Sequence, residues 1–253
     1  MSLGRKIILK TSGFIFESPD FSIDFKINYS KDKDNNSAKI EIFNLSKETI
    51  KNIIKDNQIF LEAGYEDDKT GLIFVGYIKE KEVKWDTIDK RLILICGDNT
   101  NEWHKQIYSK TWETKTKASQ IINDIINNLY YQKADLDLKN DVEYRRGKTF
   151  NTTVKNALNE LAKDCESKLF ITENKIYIRA ENKITTEKVI LNSNTGLLSF
   201  DEEEENKYSV VSLLNWKFEL DSLVQIENKN YLINKIEHTG ESFETKLEVE
   251  PWS

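Results

Sequence analysis

Two cysteines in a chain of 253 residues cannot supply a disulfide framework or a four-thiolate metal centre. Cys96 and Cys165 each close an apolar run, Leu92-Ile93-Leu94-Ile95-Cys96 and Leu161-Ala162-Lys163-Asp164-Cys165, and read as small buried hydrophobes. Histidine is equally scarce. His104 follows Trp103 and lies near Asp98 and Glu102, and His238 stands far from it in sequence. Neither belongs to an H-x-x-x-H or H-E pattern, so a general acid or zinc site lacks its convergent ligands, and both read as surface or strand-end histidines. A basic excess is missing too. Lys and Arg number 37 against 43 Asp and Glu, a net charge of −6. That balance suits neither phosphate contacts nor specific nucleic-acid binding, although it suits a passage in which attraction to nucleic acid would be a hindrance. No apolar stretch approaches the ~20 residues of a membrane span, and Met1-Ser2-Leu3-Gly4-Arg5 opens no signal-peptide core. The expectation is a protein without membrane insertion, kept in the bacterial cytoplasm until it is assembled or exported.

What is present is enough for a sizeable core: 38% of residues are hydrophobic and 11% aromatic, in a length comfortable for two or three modules. Phe21, Ile23, Phe25, Ile27 and Tyr29 alternate with polar residues, the period of a half-buried strand. A polar turn at 31–37 and a return strand through Ile40 and Ile42 follow. Ser46 then caps a short helix whose apolar face is Ile50, Ile53 and Ile54. Strands are expected at 58–63, 72–83 and 91–96. Many short strands with turns between them point to a barrel-like lobe.

The period changes in the middle. Ala118, Ile121, Ile122, Ile125, Ile126 and Leu129 in 116–130, and Val154, Ala157, Leu158, Leu161, Ala162 and Cys165 in 151–165, both follow the spacing i, i+3, i+4, i+7 of an amphipathic helix. A hairpin turning at Glu173-Asn174 completes a small α+β module. Strand patterns return at 210–214, 223–227, 231–238 and 245–249, with a turn at 227–230. The fold class is α+β, mainly β: two barrel-like lobes, 1–112 and 181–253, and an inserted α+β domain, 113–180.

Three further stretches bear on chemistry. Gly147-Lys148-Thr149 resembles the end of a phosphate loop, but the glycine required five residues earlier is Val142, so it reads as a turn before a helix. The acidic run 201–205 has neither the ligand spacing nor the glycine of a calcium loop and reads as a solvated loop. The aromatics are not interleaved with Lys and Arg in one segment, which favours core and interface positions over a stacking platform for single-stranded nucleic acid. The residues therefore offer no catalytic constellation, no metal ligands and no cofactor site.

Several phrases go further. Asn44-Leu45-Ser46 before a helix, Ala63-Gly64-Tyr65 at a strand end, and Phe74-Val75-Gly76 resemble the first domain of phage tail baseplate hub proteins. Gly147 and Thr149 leading into Ala157-Leu158-Asn159-Glu160-Leu161-Ala162, Thr195-Gly196-Leu197, Val211-Ser212-Leu213-Leu214-Asn215, and a final segment containing His238 and Gly240 resemble, in order, later parts of the same family. Phe218-Glu219-Leu220-Asp221 stands where the family has a Pro-Gly turn. The resemblance implies a structural subunit without covalent chemistry, working as a homotrimeric ring. That ring would join the tail tube or a tube adaptor to a spike or cell-wall-cutting protein, with a tape-measure protein as a further candidate partner. It would reside in a virion, a prophage remnant or a bacteriocin-like particle. The competing readings are a tail-associated cell-wall hydrolase, which needs a carboxylate or Cys/His cleft, and a nucleic-acid-binding barrel, which the charge disfavours.

Overall fold

A computed structural model describes residues 4–31, 36–66, 69–86, 88–97, 107–128, 132–172, 175–180 and 188–252. Two compact units emerge: Met1–Gly97 together with Ile184–Ser253, and Asp98–Lys183. In the first half of the β unit, β1 (Arg5–Thr11), β2 (Phe14–Glu17), β3 (Ile23–Ser30) and β4 (Ser37–Phe43) precede helix α1 (Lys47–Asn52). Then come β5 (Gln58–Tyr65), β6 (Gly71–Asp86) and β7 (Asp89–Gly97). The insert contains β8 (Ile107–Trp112), β9 (Thr116–Lys117), α2 (Ala118–Asn127), β10 (Gln132–Asp137), β11 (Glu143–Tyr144), β12 (Lys148–Thr153), α3 (Val154–Asp164), β13 (Ser167–Thr172) and β14 (Lys175–Ala180). The chain returns to the β unit with β15 (Val189–Leu191), β16 (Leu197–Glu204), β17 (Lys207–Leu213), β18 (Leu223–Ile226), β19 (Lys229–Thr239) and β20 (Glu244–Trp252).

Thirteen strands of the β unit form one sheet in the order β16-β17-β20-β19-β3-β4-β7-β6-β5-β1-β2, with β18 joining β15 to β19. The two lobes read from the sequence thus share a sheet, because β19 pairs antiparallel with β3. The alternation in β3 explains the choice of face: Ile23, Phe25, Ile27 and Tyr29 are buried while Lys26 is exposed. Their core neighbours come from both ends of the chain, among them Leu9, Ile40, Leu94, Ile233 and Leu247. Each fully buried side chain of this size stabilises the fold by about 1.5–3 kcal/mol.

The helix expected after Ser46 forms, with the Ser46 hydroxyl accepting the Thr49 N–H at 3.0 Å. It stops at Asn52, so of the expected apolar face only Ile50 is helical. Ile53 is extended and fully buried, and Ile54 is exposed, its N–H taken by the Asn57 side chain. The hairpin β1–β2 was not anticipated, although Ile7 and Leu9 alternate and Ser12-Gly13, both at positive φ, make its two-residue turn. The acidic run is a correction. Residues 201–204 are exposed as expected but lie in β16, not in a loop, because ladder hydrogen bonds to β17 use only the backbone. The polar turn at 32–35, Glu173-Asn174, and Leu129 with Tyr130 lie outside the described residues.

The insert has its own core. Ile121, Ile122 and Ile125 of α2 pack with Leu158 and Leu161 of α3 over Ile176 and Ile178 of β14. Among the described residues these are the two longest helices, as the spacing predicts. Strand β8, assigned to the first lobe by the sequence reading, pairs with β12 inside the insert. One carboxylate fastens it: Asp124 of α2 accepts from Lys110 Nζ at 2.6 Å, Trp112 Nε1 at 3.0 Å and the Tyr108 hydroxyl at 3.4 Å. The Lys110 hydrogen bond, with those from Trp112 and Tyr108, holds the Asp124 carboxyl below its ordinary 3.8.

Replacing Asp124 by alanine is expected to destabilise the insert by ~1–2 kcal/mol, since charge-assisted hydrogen bonds are lost. Because the folded carboxyl titrates below its ordinary value, the full difference should persist above about pH 4 and shrink as pH falls through the folded pKa. Denaturant unfolding of both proteins at pH 7 and pH 3 checks this, and an unchanged difference at the lower pH would overturn the assignment.

Candidate functional site

The side chains suspected of chemistry are committed elsewhere. Gly147 has φ +76, and a Cβ there would meet the Trp112 carbonyl oxygen at 2.5 Å. It turns the chain into strand β12 and not directly into a helix, which corrects the turn-before-helix reading. Helix α3 begins seven residues later, at Val154, capped by the Thr153 hydroxyl accepting from the Asn156 N–H. Lys148 therefore cannot reach a phosphate at a helix start. Its ammonium pairs with Glu160 at 2.6 Å and Asp164 at 3.0 Å, lying over the rings of Tyr144 and Phe150. The Tyr144 hydroxyl donates to Asp164, and burial together with that carboxylate raises its pKa. Thr149 faces outward, its hydroxyl 3.0 Å from that of Thr111.

Burial also quiets the thiols. It pushes the Cys96 thiol up to about 12 and raises Cys165 as well. His238 is 2% exposed and is the penultimate residue of β19, between Ile27 of β3 and Thr245 of β20, so of the two alternatives it is the strand-end histidine and not the surface one. Its Nδ1 lies 2.8 Å from the Thr245 hydroxyl, and its ring meets Tyr29 edge-on. Burial drops its pKa from 6.5 to about 4. His104, Asp98 and Glu102 lie outside the described residues. Among the described residues no group of three or more His, Cys, Asp or Glu is placed to hold a metal ion.

Apart from Gly147, Thr149 and residues 157–162 of the insert, the family-like phrases fall at three places in the β unit. Asn44, at φ +58, clasps the β6–β7 hairpin beside its turn, where Asp86 pairs with Asp89 and Trp85 with Lys90. Its Nδ2 donates to Asp89, its Oδ1 accepts the Lys90 N–H, and its own N–H donates to the Lys90 carbonyl. Leu45 is buried beside it, and Lys81 of β6 donates to the Ile50 and Ile53 carbonyls at the end of α1. At this end the hairpin exposes Val83, Trp85 and Ile88, with Lys90 Nζ 5.5 Å from the Trp85 ring. Gly76 lies within β6, opposite Ile59.

A second cluster surrounds the β19–β20 turn. Gly240 donates to the Phe25 carbonyl at 2.7 Å, and a Cβ there would sit 2.6 Å from Asp24 Oδ1 and 2.8 Å from the Phe25 nitrogen. Arg5 donates to the carbonyls of Glu241 and Ser242, and Tyr65, which follows Ala63 and Gly64 at the end of β5, meets Phe243 edge-on. The third place is the turn before β16. There the Thr195 hydroxyl donates to the Ile190 carbonyl and accepts the Asn192 N–H, Gly196 at φ +98 accepts from the Leu213 N–H, and Leu197 begins the edge strand. What the sequence reading missed is the surface that these places support, namely the exposed hairpin tip and the acidic edge strand. The signal available was the run of alternating charges around Trp85 and Ile88.

His238 gives the β19 seam a defined pH response. Between about pH 6.5 and 4 the unfolded chain binds a proton at this ring that the folded chain refuses. Acidification through that window should therefore cost on the order of 3 kcal/mol of stability. A His238→Gln variant should lack this slope. Unfolding free energies of the two proteins across pH 4–7 test it, and parallel curves would refute it.

Known structures align along nearly the whole chain. The prophage MuSo2 tail protein from Shewanella oneidensis is 11% identical, with 98% of each chain covered and a TM-score of 0.70. A tail protein from Neisseria meningitidis is 7% identical, with 98% of this chain and 96% of that one covered, at 0.69. An Escherichia coli protein, described as a component of the type VI secretion system similar to the T4 bacteriophage tail proteins gp27 and gp5, is 10% identical. The match covers 97% of this chain and 77% of that one, at 0.65. At such identities the likeness is one of fold. No curated protein matches by sequence. The family model for baseplate hub gp41 matches residues 11–248, and the chain belongs to that family: it is a structural hub component of a phage-type tail.

Proposed function

We propose that the hub acts as a homotrimeric ring between the tail tube, or a tube adaptor, and a spike or cell-wall-cutting protein, without covalent chemistry of its own. The observation that carries this reading is the family match across residues 11–248. Physical features support it. Two sheet ends, β16 and β2, and an exposed Trp85 and Ile88 are surfaces that neighbouring subunits would cover. The charge is also unevenly placed. Residues outside the insert hold 30 Asp and Glu against 22 Lys and Arg, whereas Asp98–Lys183 holds 13 against 15. If the β unit lines the channel, its acidic wall repels phosphate over about 8–10 Å at ordinary salt and lets DNA or a tape-measure protein slide. Assembly takes place in the host cytoplasm, and the working location is the virion or tail-like particle.

Mass determination of the chain within assembled tails should find three copies per particle, and a structure of that assembly should show a net negative lumen. A different copy number would overturn the trimer. A basic lumen would overturn the charge argument even if three copies stand. The purified chain alone should release no fragments from isolated cell walls; hydrolysis by the purified chain would defeat the non-enzymatic reading.

A further inference from the structure

The surplus of positive charge on the insert gathers at one corner. The β9–β11 ladder sets Thr116 opposite Tyr144 and Lys117 opposite Glu143, and the Lys115 N–H donates to the Tyr144 carbonyl. Arg145 and Arg146 occupy the turn that follows, closed by the Gly147 N–H donating to the same carbonyl. Lys115, Lys117, Arg145 and Arg146 are all exposed. Among the described residues none of the four side chains has an ion-pair partner. The carboxylates closest in sequence are engaged elsewhere or outnumbered. Asp141 holds Ser119 at the start of α2, which leaves Glu113 and Glu143 against four cations.

The opposite imbalance lies on β16. Residues 201–205 form an unbroken exposed acidic run, the first four along the end strand of the large sheet and Glu205 in the turn that follows. Lys207 pairs with Glu204 and Lys246 with Glu203, while Asp201, Glu202 and Glu205 have no cationic partner among the described residues. The strand is irregular where it pairs with β17, between Leu197 and Ser199 and between Glu202 and Glu204. Irregular register and like charges deter another strand from adding to this edge through its backbone. What such an edge favours is side-chain contact with guanidinium and ammonium groups, which carboxylates accept in charge-assisted hydrogen bonds.

We propose that the Lys115/Lys117/Arg145/Arg146 corner of one copy docks on the acidic strand β16 of the neighbouring copy. This rests on the ring reading. Two different complementary patches on one chain make a head-to-tail contact, the kind that closes into a ring. Charge complementarity selects the occupant, and it makes the contact steered and salt-sensitive.

The test is made in assembled tails, with the hub supplied as variants and counted per particle by mass spectrometry. Arg145→Glu/Arg146→Glu and, separately, Asp201→Lys/Glu202→Lys should each lower incorporation at least tenfold. The variant carrying all four changes should restore it, and Arg145→Gln/Arg146→Gln should give a smaller loss. Circular dichroism of each purified chain confirms folding, which these exposed positions should leave intact. Normal incorporation of both reversed variants overturns the proposal while leaving the ring standing. Loss without rescue also overturns it and assigns the corner to another acidic ligand, such as a different tail protein or nucleic acid. A single wild-type copy per particle would remove the ring reading itself.

Discussion

Five residue pairs between β3 and β19, from Lys26 with Thr239 to Ser30 with Lys235, join two stretches of chain that the insert holds apart in sequence. Closing so long a loop costs entropy that backbone hydrogen bonds alone do not return. The return comes from the side chains that the pairing buries. Ile27 and His238 face each other in register, Ile236 stands opposite Tyr29, and the Tyr29 hydroxyl donates to the Ile73 carbonyl in β6. Other bridges depend on that ladder. Trp216 donates to the Lys69 carbonyl, Arg5 holds the β19–β20 turn, and Lys31 pairs with Asp221 at 2.5 Å. With the ladder removed, each of these would join groups with nothing to keep them adjacent.

Much of this architecture was legible in local pattern. The switch from period two to 3.6 and back located α2 and α3, and their stripes are buried as the spacing implies. Ser46 announced a cap because its chemistry is local, one hydroxyl three residues from the N–H it accepts. The β3–β19 pairing left no such trace, since it is decided by which apolar faces meet in a shared core. The burial of His238 was hidden for the same reason: one polar residue in an alternating strand looks alike whether the covering sheet is present or absent. Strand β16 misled in the opposite direction, because five consecutive acids suggest a solvated loop, yet an edge strand tolerates them on its open side. The Glu160 and Asp164 carboxylates that pair with Lys148 are one helix away and were not foreseeable from the tripeptide.

The motif positions share a physical character. Asn44, Gly147, Gly196 and Gly240 hold the backbone in left-handed conformations or in approaches too tight for a Cβ, and they lie at turns that fix where a hairpin or an edge begins. A structural hub subunit needs its contact surfaces held by stiff elements rather than by mobile loops. The Lys81 contacts with α1 and the Asn44 clasp beside the turn hold the β6–β7 hairpin at two levels while the Trp85 and Ile88 side chains stay exposed.

The long-range ladder also sets a timetable for the ribosome. Strand β3 emerges early, but its partner β19 is encoded about 200 residues later. At typical synthesis rates of about 5–20 residues per second, one edge of β3 waits on the order of 10–40 s for its complement. During that interval Phe25, Ile27 and Tyr29 have only the amino-terminal half of their final surroundings, whereas the insert, with a core of its own, is free to fold as soon as it emerges. The nascent hub is therefore most vulnerable to aggregation at its first lobe, and chaperone demand falls on the earliest part of the chain for as long as the last strands remain untranslated.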